Sequence, residues 1–224
     1  MTTPDPVIAI IGGTGHLGHA IARRLAQAGD AVVIGSRDAE RARLAAEALA
    51  ADVGRPVRSG SNVEAAAAAD VVIIAVPFAA QRGTLEDIAG VVRGKIVVDT
   101  TVPLVPPRVM RVQLPAEGSA AMIAQQALGP EVRVVSAFHN VAAHKLATDA
   151  DIACDVLVFG DDRAARDVVV QLVGRCRLRG LHAGALVNSA AAEALTSILI
   201  FINKTYAADG AGIQVTGALT APSA

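Results

Sequence analysis

An apolar run, Val7–Ile11, stops at Gly12 and passes directly into Gly13-Thr14-Gly15-His16-Leu17-Gly18. A G-x-G-x-x-G alone is a weak signal. Placed after a strand and at the opening of a helix, it restricts the chain to one kind of turn. Five consecutive apolar residues suit a strand buried on both faces. The helix, Gly15 to Ala28, has Leu17, Ile21 and Leu25 at helical spacing and Gly29 as its stop. In such a turn Gly13 permits the tight bend, Gly15 lets backbone N–H groups approach a pyrophosphate, and Gly18 allows close helix–sheet packing. The helix N-terminus adds partial positive charge. Gly13 to Gly18, with Thr14, His16 and Leu17 among them, are therefore the expected seat of a dinucleotide's phosphates.

The end of the second strand, Ala31–Gly35, chooses between the two nicotinamide dinucleotides. An NAD site places Asp or Glu there for the ribose diol. This chain has Ser36-Arg37, with no acid until Asp38. A hydroxyl and a guanidinium suit a 2′-phosphate, which Arg grips through a fork of charged hydrogen bonds. Arg41, one helical turn on, offers a second cation. The expected cofactor is NADP rather than NAD.

The same reading continues along the chain. An Ala/Arg/Glu-rich helix is expected over Asp38–Ala51, a short strand near Val57, a helix over Val63–Ala69 and a strand over Val71–Val76, stopped by Pro77. A helix over Gln81–Val92 and a strand over Ile96–Asp99 follow. Strands alternating with helices imply right-handed crossovers and a parallel, doubly wound sheet. Thr100–Pro115 is Pro-rich and irregular. Ser119 caps a helix to Leu128, and strands are expected at Val132–Ala137, Asp155–Gly160 and Leu178–His182. Asp161-Asp162 reads as the cap of the helix Arg163–Val173. A long helix, Ala185–Tyr206, closes the fold, and Leu219–Ala224 reads as a frayed tail. The fold class is α/β: a Rossmann dinucleotide-binding sheet over residues 1–180, with a small C-terminal helical lobe over 181–224. Nothing is left over for a separate substrate domain.

Composition narrows the function. The 224 residues are 53% hydrophobic with a formal net charge of -1, so a packed core is possible. No basic face is available for nucleic acid. Only 2% aromatic residues argue against base-stacking platforms. Cys154 and Cys176 form no CxxC pair, no Cys/His set has metal-ligand spacing, and two free thiols suit a reducing cytoplasm. Ala183–Ile202 is mostly apolar, but a membrane span would bury Asn188 and Glu193, and a central acid costs roughly 3 kcal/mol by insertion scales. A helix of a non-membrane protein accommodates both.

The motifs together resemble the deazaflavin-dependent NADP oxidoreductases, which pass hydride between NADPH and coenzyme F420. The matching pieces are Ile11-Gly12-Gly13-Thr14-Gly15 with Leu17-Gly18, Gly35-Ser36-Arg37, Ala75-Val76-Pro77-Phe78, Ser119-Ala120-Ala121 and Val135-Ser136-Ala137-Phe138-His139. Gly160-Asp161-Asp162 and Ala183-Gly184 followed by Asn188-Ser189 and Glu193-Ala194-Leu195-Thr196 complete the set. The resemblance implies a cleft between the Rossmann sheet and the C-terminal lobe, with F420 as co-substrate. It places Thr14, His139 and Thr196 near the nicotinamide and deazaflavin rings, His139 and Thr196 positioning the acceptor ring. Val141 falls where the family has an aliphatic residue at the nicotinamide. Val76, Pro77, Phe78 and Ala137 belong to the cofactor-binding set, Pro77 and Phe78 at the carboxyl edge where open α/β sheets bind ligands. Phe138 also falls at a cleft edge. The chain departs from the family at Ala190, where Arg is common, at Ala194, where Ser occurs, and at His16, where Asn is frequent. The missing Arg removes a donor for the deazaflavin or its anionic tail. Another flat acceptor, such as a flavin, a pterin or a C=N or C=C substrate, keeps the NADPH site, and a non-catalytic NADP sensor is a third reading. The apolar residues Ile198 to Ile202 on every side of the last helix suggest a homodimer.

Overall fold

The structure, a computed structural model, describes residues 6–220. Eight strands form one sheet in the order β3-β2-β1-β4-β5-β6-β7-β8. They are β1 (Val7–Ile11), β2 (Ala31–Ser36), β3 (Arg58–Ser61), β4 (Val71–Ile74), β5 (Ile96–Asp99), β6 (Arg133–Ser136), β7 (Asp155–Gly160) and β8 (Arg179–His182). The helices are α1 (His16–Ala28), α2 (Ala39–Val53), α3 (Asn62–Ala67), α4 (Phe78–Ile88), α5 (Ala120–Leu128), α6 (Ala143–Leu146), α7 (Arg163–Arg175) and α8 (Ser189–Tyr206). β1 through β6 are parallel, as the alternation of elements requires.

The alternation inside β1 shows why its run is continuously apolar. Ile8 and Ile10 face the core under α1, α2, α6 and α7, whereas Ala9 and Ile11 face the core under α3, α4 and α5. With both faces covered, period-2 patterning disappears. Each buried isoleucine contributes about 2–3 kcal/mol. Local chemistry sets the ends of the helices. Asp38 accepts from the backbone N–H of Glu40 and Arg41 at the start of α2. Ser61 and Glu64 form a reciprocal capping box at α3. Asp162 caps α7 through the Ala165 N–H at 2.7 Å.

Five features differ from the sequence reading. β7 runs antiparallel to β6, pairing Val135 with Gly160 and Ser136 with Phe159. The segment between them holds only the four-residue α6, too little chain folded as helix for a crossover. The strand expected to reach Val76 ends at Ile74, and the helix expected from Gln81 starts at Phe78, directly after Pro77, which has no N–H to give to a strand ladder. Phe138 points into the core, 2% exposed with a φ of 66°, rather than lining the cleft. The left-handed residue of the phosphate turn is Gly12 (φ +83°), where a Cβ would stand 2.5 Å from the Ala75 carbonyl oxygen. Gly13 is needed instead for its closeness to Ile34. Gly18 keeps the packing role expected of it, a Cβ there lying 2.5 Å from the Gly12 carbonyl oxygen. Of the expected tail, Leu219 and Thr220 are irregular and residues 221–224 lie outside the described residues.

Candidate active site

After β3 the chain returns to the opposite side of β1, so β1 and β4 diverge at a topological switch point. Ligands of open α/β sheets bind there, beyond the carboxyl ends of the strands. A cleft of about 520 Å³ opens at this place, between Thr14 and Gly15 of the loop, Ser36, Arg37 and Arg41 of the β2–α2 corner, and Val76 and Pro77 after β4. Its chemistry is cationic. Arg43, on the same helix as Arg41, is held by Glu40 and Glu47. Arg37 and Arg41 have no carboxylate partner among the described residues. Asp38, the nearest acid, spends its carboxylate on two N–H groups of its own helix. The start of α1 has no side-chain cap and no acid in its first turn, so its amide N–H groups are free for phosphate. This donor set fits a 2′-phosphorylated dinucleotide.

Two further cavities continue from this cleft. One, of about 530 Å³, shares Thr14 and Gly15 with it and is lined by His16, His19 and His144. The next, of about 350 Å³, shares His144 and is lined by His139, Val141, Thr196, Leu199 and Ile200. His139 follows β6 and is 7% exposed, its Nε2 2.9 Å from Ser136 Oγ. Burial pushes its pKa down to about 4, so the imidazole is neutral at physiological pH. The Thr196 hydroxyl lies 3.0 Å from the His139 carbonyl oxygen and 3.2 Å from that of Ala192, and accepts from Asn140 Nδ2 at 3.1 Å. It ties α8 to the His139–Asn140 loop.

The sequence-expected residues thus gather along one continuous groove, with exceptions. Gly13, Leu17, Gly18, Phe78 and Ala137 stand behind it. Leu17 packs on the core, Ala137 is fully buried and Phe78 is half-buried at the start of α4.

Residues 7–103 match the family model described as "NADP oxidoreductase coenzyme F420-dependent". An F420-dependent NADP reductase of Methanothermobacter thermautotrophicus is 39% identical over 218 residues, covering 93% of this chain and 94% of that one. One from Methanocaldococcus jannaschii is 36% identical over 220 residues, covering 93% and 97%. The chain belongs to the F420-dependent NADP reductase family. A solved structure from Arthrobacter sp. FB24, 24% identical, superposes with a TM-score of 0.81 over 95% of this chain and 100% of that one, which supports the fold.

Other residues that build this reductase site were not singled out from the sequence. Asn62, 6% exposed at the start of α3, lines the first cleft with its Oδ1 unpaired. Its position directly after the third strand was the available signal. Glu193, 1% exposed, accepts from the N–H groups of Ala120 (2.7 Å) and Ala121 (3.2 Å) at the start of α5. Burial pushes its pKa up to about 7 against the pull of those N–H groups. Asp99, fully buried, accepts from Gln81 Nε2 and the Thr101 N–H, and burial raises it to about 6. Gln81 also donates to the Ala120 carbonyl oxygen at 2.9 Å. This polar cluster holds α4, α5, α8 and the end of β5 together behind the groove.

Proposed function

We propose that the protein transfers hydride between NADPH and the deazaflavin coenzyme F420. The observation that carries this reading is the continuity of the groove: a cationic cleft passes through Thr14 and Gly15, then His144, into the cavity at His139 and Thr196. Arg37, Arg41 and Ser36 hold the 2′-phosphate end, and the loop from Thr14 with the start of α1 holds the pyrophosphate. Hydride passes directly between the two bound rings, so the protein's task is to align them and exclude water. Val141, Leu199 and Ile200 supply apolar wall. Neutral His139 offers hydrogen bonding without charge, and Thr196 is a positioning residue that acts through the His139–Asn140 loop. The test mixes purified protein, NADPH and oxidised F420 and follows loss of deazaflavin absorbance. NADPH binding without turnover would overturn the reading.

The remaining assignments belong to the same proposal. Of residues 181–224, Leu181 and His182 belong to β8, and the described residues from Ala183 onward serve as a small lobe that completes the groove of the Rossmann unit. The exposed apolar side of α8 is covered by a second copy of the chain, giving a homodimer. The site of action is the cytoplasm, which suits two buried, unpaired thiols.

A further inference from the structure

The third cavity of the groove has one wall with no regular structure. After α8 the chain turns at Ala207 (φ 49°), and Ala208, Asp209, Gly210 and Ala211 line that cavity together with His139 and Thr196. No helix or strand contains this strap, so the bonds it makes to the rest of the molecule set its place. It lies close against α6. A Cβ on Gly210 (φ +73°) would stand 2.6 Å from Ala142 Cβ and 2.8 Å from His144 Cε1, and one on Gly212 would stand 2.7 Å from Cys154 Sγ. α6 is itself braced, because Arg24 of α1, 2% exposed, donates to the carbonyl oxygens of Leu146 (3.0 Å) and Ala150 (2.8 Å). Near α8 the strap is tied by Asn203 Oδ1, which accepts from the Ala211 N–H at 2.7 Å. At the cavity Asp209 Oδ1 lies 2.9 Å from His144 Nε2, but both side chains are mostly exposed, and such pairs contribute little. Beyond the cavity the partner is Asp155 at the start of β7, which is buried. Its N–H donates to the Ile213 carbonyl oxygen at 2.8 Å, and its Oδ2 accepts from the Val215 N–H at 2.7 Å. Arg179 of β8 donates to both oxygens of this carboxylate, at 2.7 and 2.6 Å, and to the Val215 carbonyl oxygen at 2.9 Å. A buried carboxylate gripped by a two-pronged guanidinium is the strongest of these ties.

We propose that Asp155 is a positioning residue for the hydride acceptor. It lines none of the three cavities of the groove and acts through the strap. Pinned at Ile213 and Val215, the chain holds Ala208 to Ala211 as a closed wall beside the acceptor ring. The inference rests on the acceptor reading above and extends it to what keeps that cavity in shape. A role confined to joining β7 with β8 does not account for the bonding, because Asp155 and Arg179 each commit a hydrogen bond to Val215 as well as to each other. The dinucleotide cleft is lined by no residue of the strap. Loosening the strap should therefore reach the acceptor and leave NADPH in place.

The experiment compares the native chain with Asp155→Asn, Arg179→Ala and Arg179→Lys. Asp155→Asn keeps the side chain's size, but its amide cannot accept from Arg179 and Val215 on both atoms. The KM for F420 should rise roughly tenfold, with kcat and the Kd for NADPH changing less than about twofold. Arg179→Ala should move the KM in the same direction, and Arg179→Lys should restore part of it. Hydrogen exchange over residues 208–216 should quicken in Asp155→Asn and slow again with saturating F420, while exchange over β1 and the phosphate loop stays native. An F420 KM equal to the native one overturns the proposal. So does a matching loss of NADPH affinity, or faster exchange across the whole sheet, because Asp155 then serves the fold at large. If Asp155→Asn does not accumulate as folded protein, Gly210→Ala tests the strap at its tip. The added Cβ forces the strap off Ala142, so the F420 KM should again rise with NADPH affinity kept, and an unchanged KM overturns the proposal. Native turnover of F420 with native KM values in the variants counts against this inference alone. A native chain that binds NADPH without turning over F420 takes down the hydride-transfer reading and this inference with it.

Discussion

Arg37 and Asp38 are sequence neighbours with opposite electrostatic fates. The aspartate is consumed by the start of α2, and the arginine has no carboxylate partner among the described residues. Discrimination between NADPH and NADH should therefore rest on Arg37. Arg37→Glu removes a charge-assisted contact and introduces repulsion, so the Kd for NADPH should rise about a hundredfold by isothermal titration, with NADH changed much less. Equal losses would remove the 2′-phosphate assignment. His139 makes a prediction of the opposite kind. Because burial holds it near pKa 4, it stays neutral from pH 5.5 to 8. The kcat/KM profile over that range should carry no inflection from it, and His139→Gln should lower the rate without changing the profile's shape. An inflection lost in that variant would contradict a neutral imidazole. At this scale the sequence was informative where a residue's place in a motif dictates its surroundings, as for Arg37. It was silent on Arg24, whose role depends on partners distant in the chain, Leu146 and Ala150.

Between elements, the joint of α5 with α8 depends on Glu193. Its carboxylate takes two of the N–H groups that the first turn of α5 leaves unpaired, beside the Ser119 cap and the Ser189–Ser119 hydrogen bond of 3.0 Å. This contact has a pH signature. The folded pKa of Glu193 is raised to about 7 from 4.5, and that of Asp99 to about 6 from 3.8. The folded state therefore binds these protons more tightly than the unfolded chain. Their stabilisation is complete below the ordinary values and is lost as pH rises through the folded ones. His139 acts oppositely, losing stability as pH falls from 6.5 toward 4. Above pH 6.5 its contribution is flat and the slope belongs mainly to Glu193. The Tm should fall by a few degrees between pH 5 and 8, since about 1 kcal/mol moves it by roughly 2–4 °C at this size. Glu193→Gln should melt lower overall and show a flatter slope above pH 6.5. A native Tm that rises over this range, or an unchanged slope in the variant, would refute the assignment. The helices themselves were readable from apolar spacing and from caps such as Ser119. That Glu193 points at α5 was not, because helical periodicity fixes a face and not what lies opposite it. The reversal of β7 escaped for a similar reason: α6 is too short to leave a periodic signal.

The whole molecule leaves one surface unexplained by its own packing. The segment Leu186–Tyr206 is long and apolar enough to cross a membrane by length and composition, yet only a third of its most apolar window is buried. Its inner side carries Ser189, Glu193 and Ser197, buried against α5 and the irregular segment near Arg111. Its outer side shows Ile198 at 47% exposure and Phe201 at 53%. Phe201 borders a recess with Pro107, Met110, Arg108 and Arg111 of the Pro-rich segment. Large apolar side chains left exposed on one side of a long helix are a candidate interaction site. The inner polar set is satisfied by protein, which argues for a helix seated on a folded body with one face left for a partner. A second copy of the chain presents the same face, so a twofold contact buries both at once. Static light scattering of the native protein should give twice 22.7 kDa, and Phe201→Glu should give the monomer by placing a charge in the centre of the contact. Because Leu199 and Ile200 of the same helix line the cavity proposed for the acceptor, the separated subunit should show a severalfold higher KM for the acceptor. NADPH affinity, set at the far end of the groove by Arg37 and Arg41, should remain. A native protein that scatters as a monomer, or a Phe201→Glu variant that stays dimeric, would place the contact elsewhere. Solubility only in detergent would instead assign the outer face of α8 to lipid.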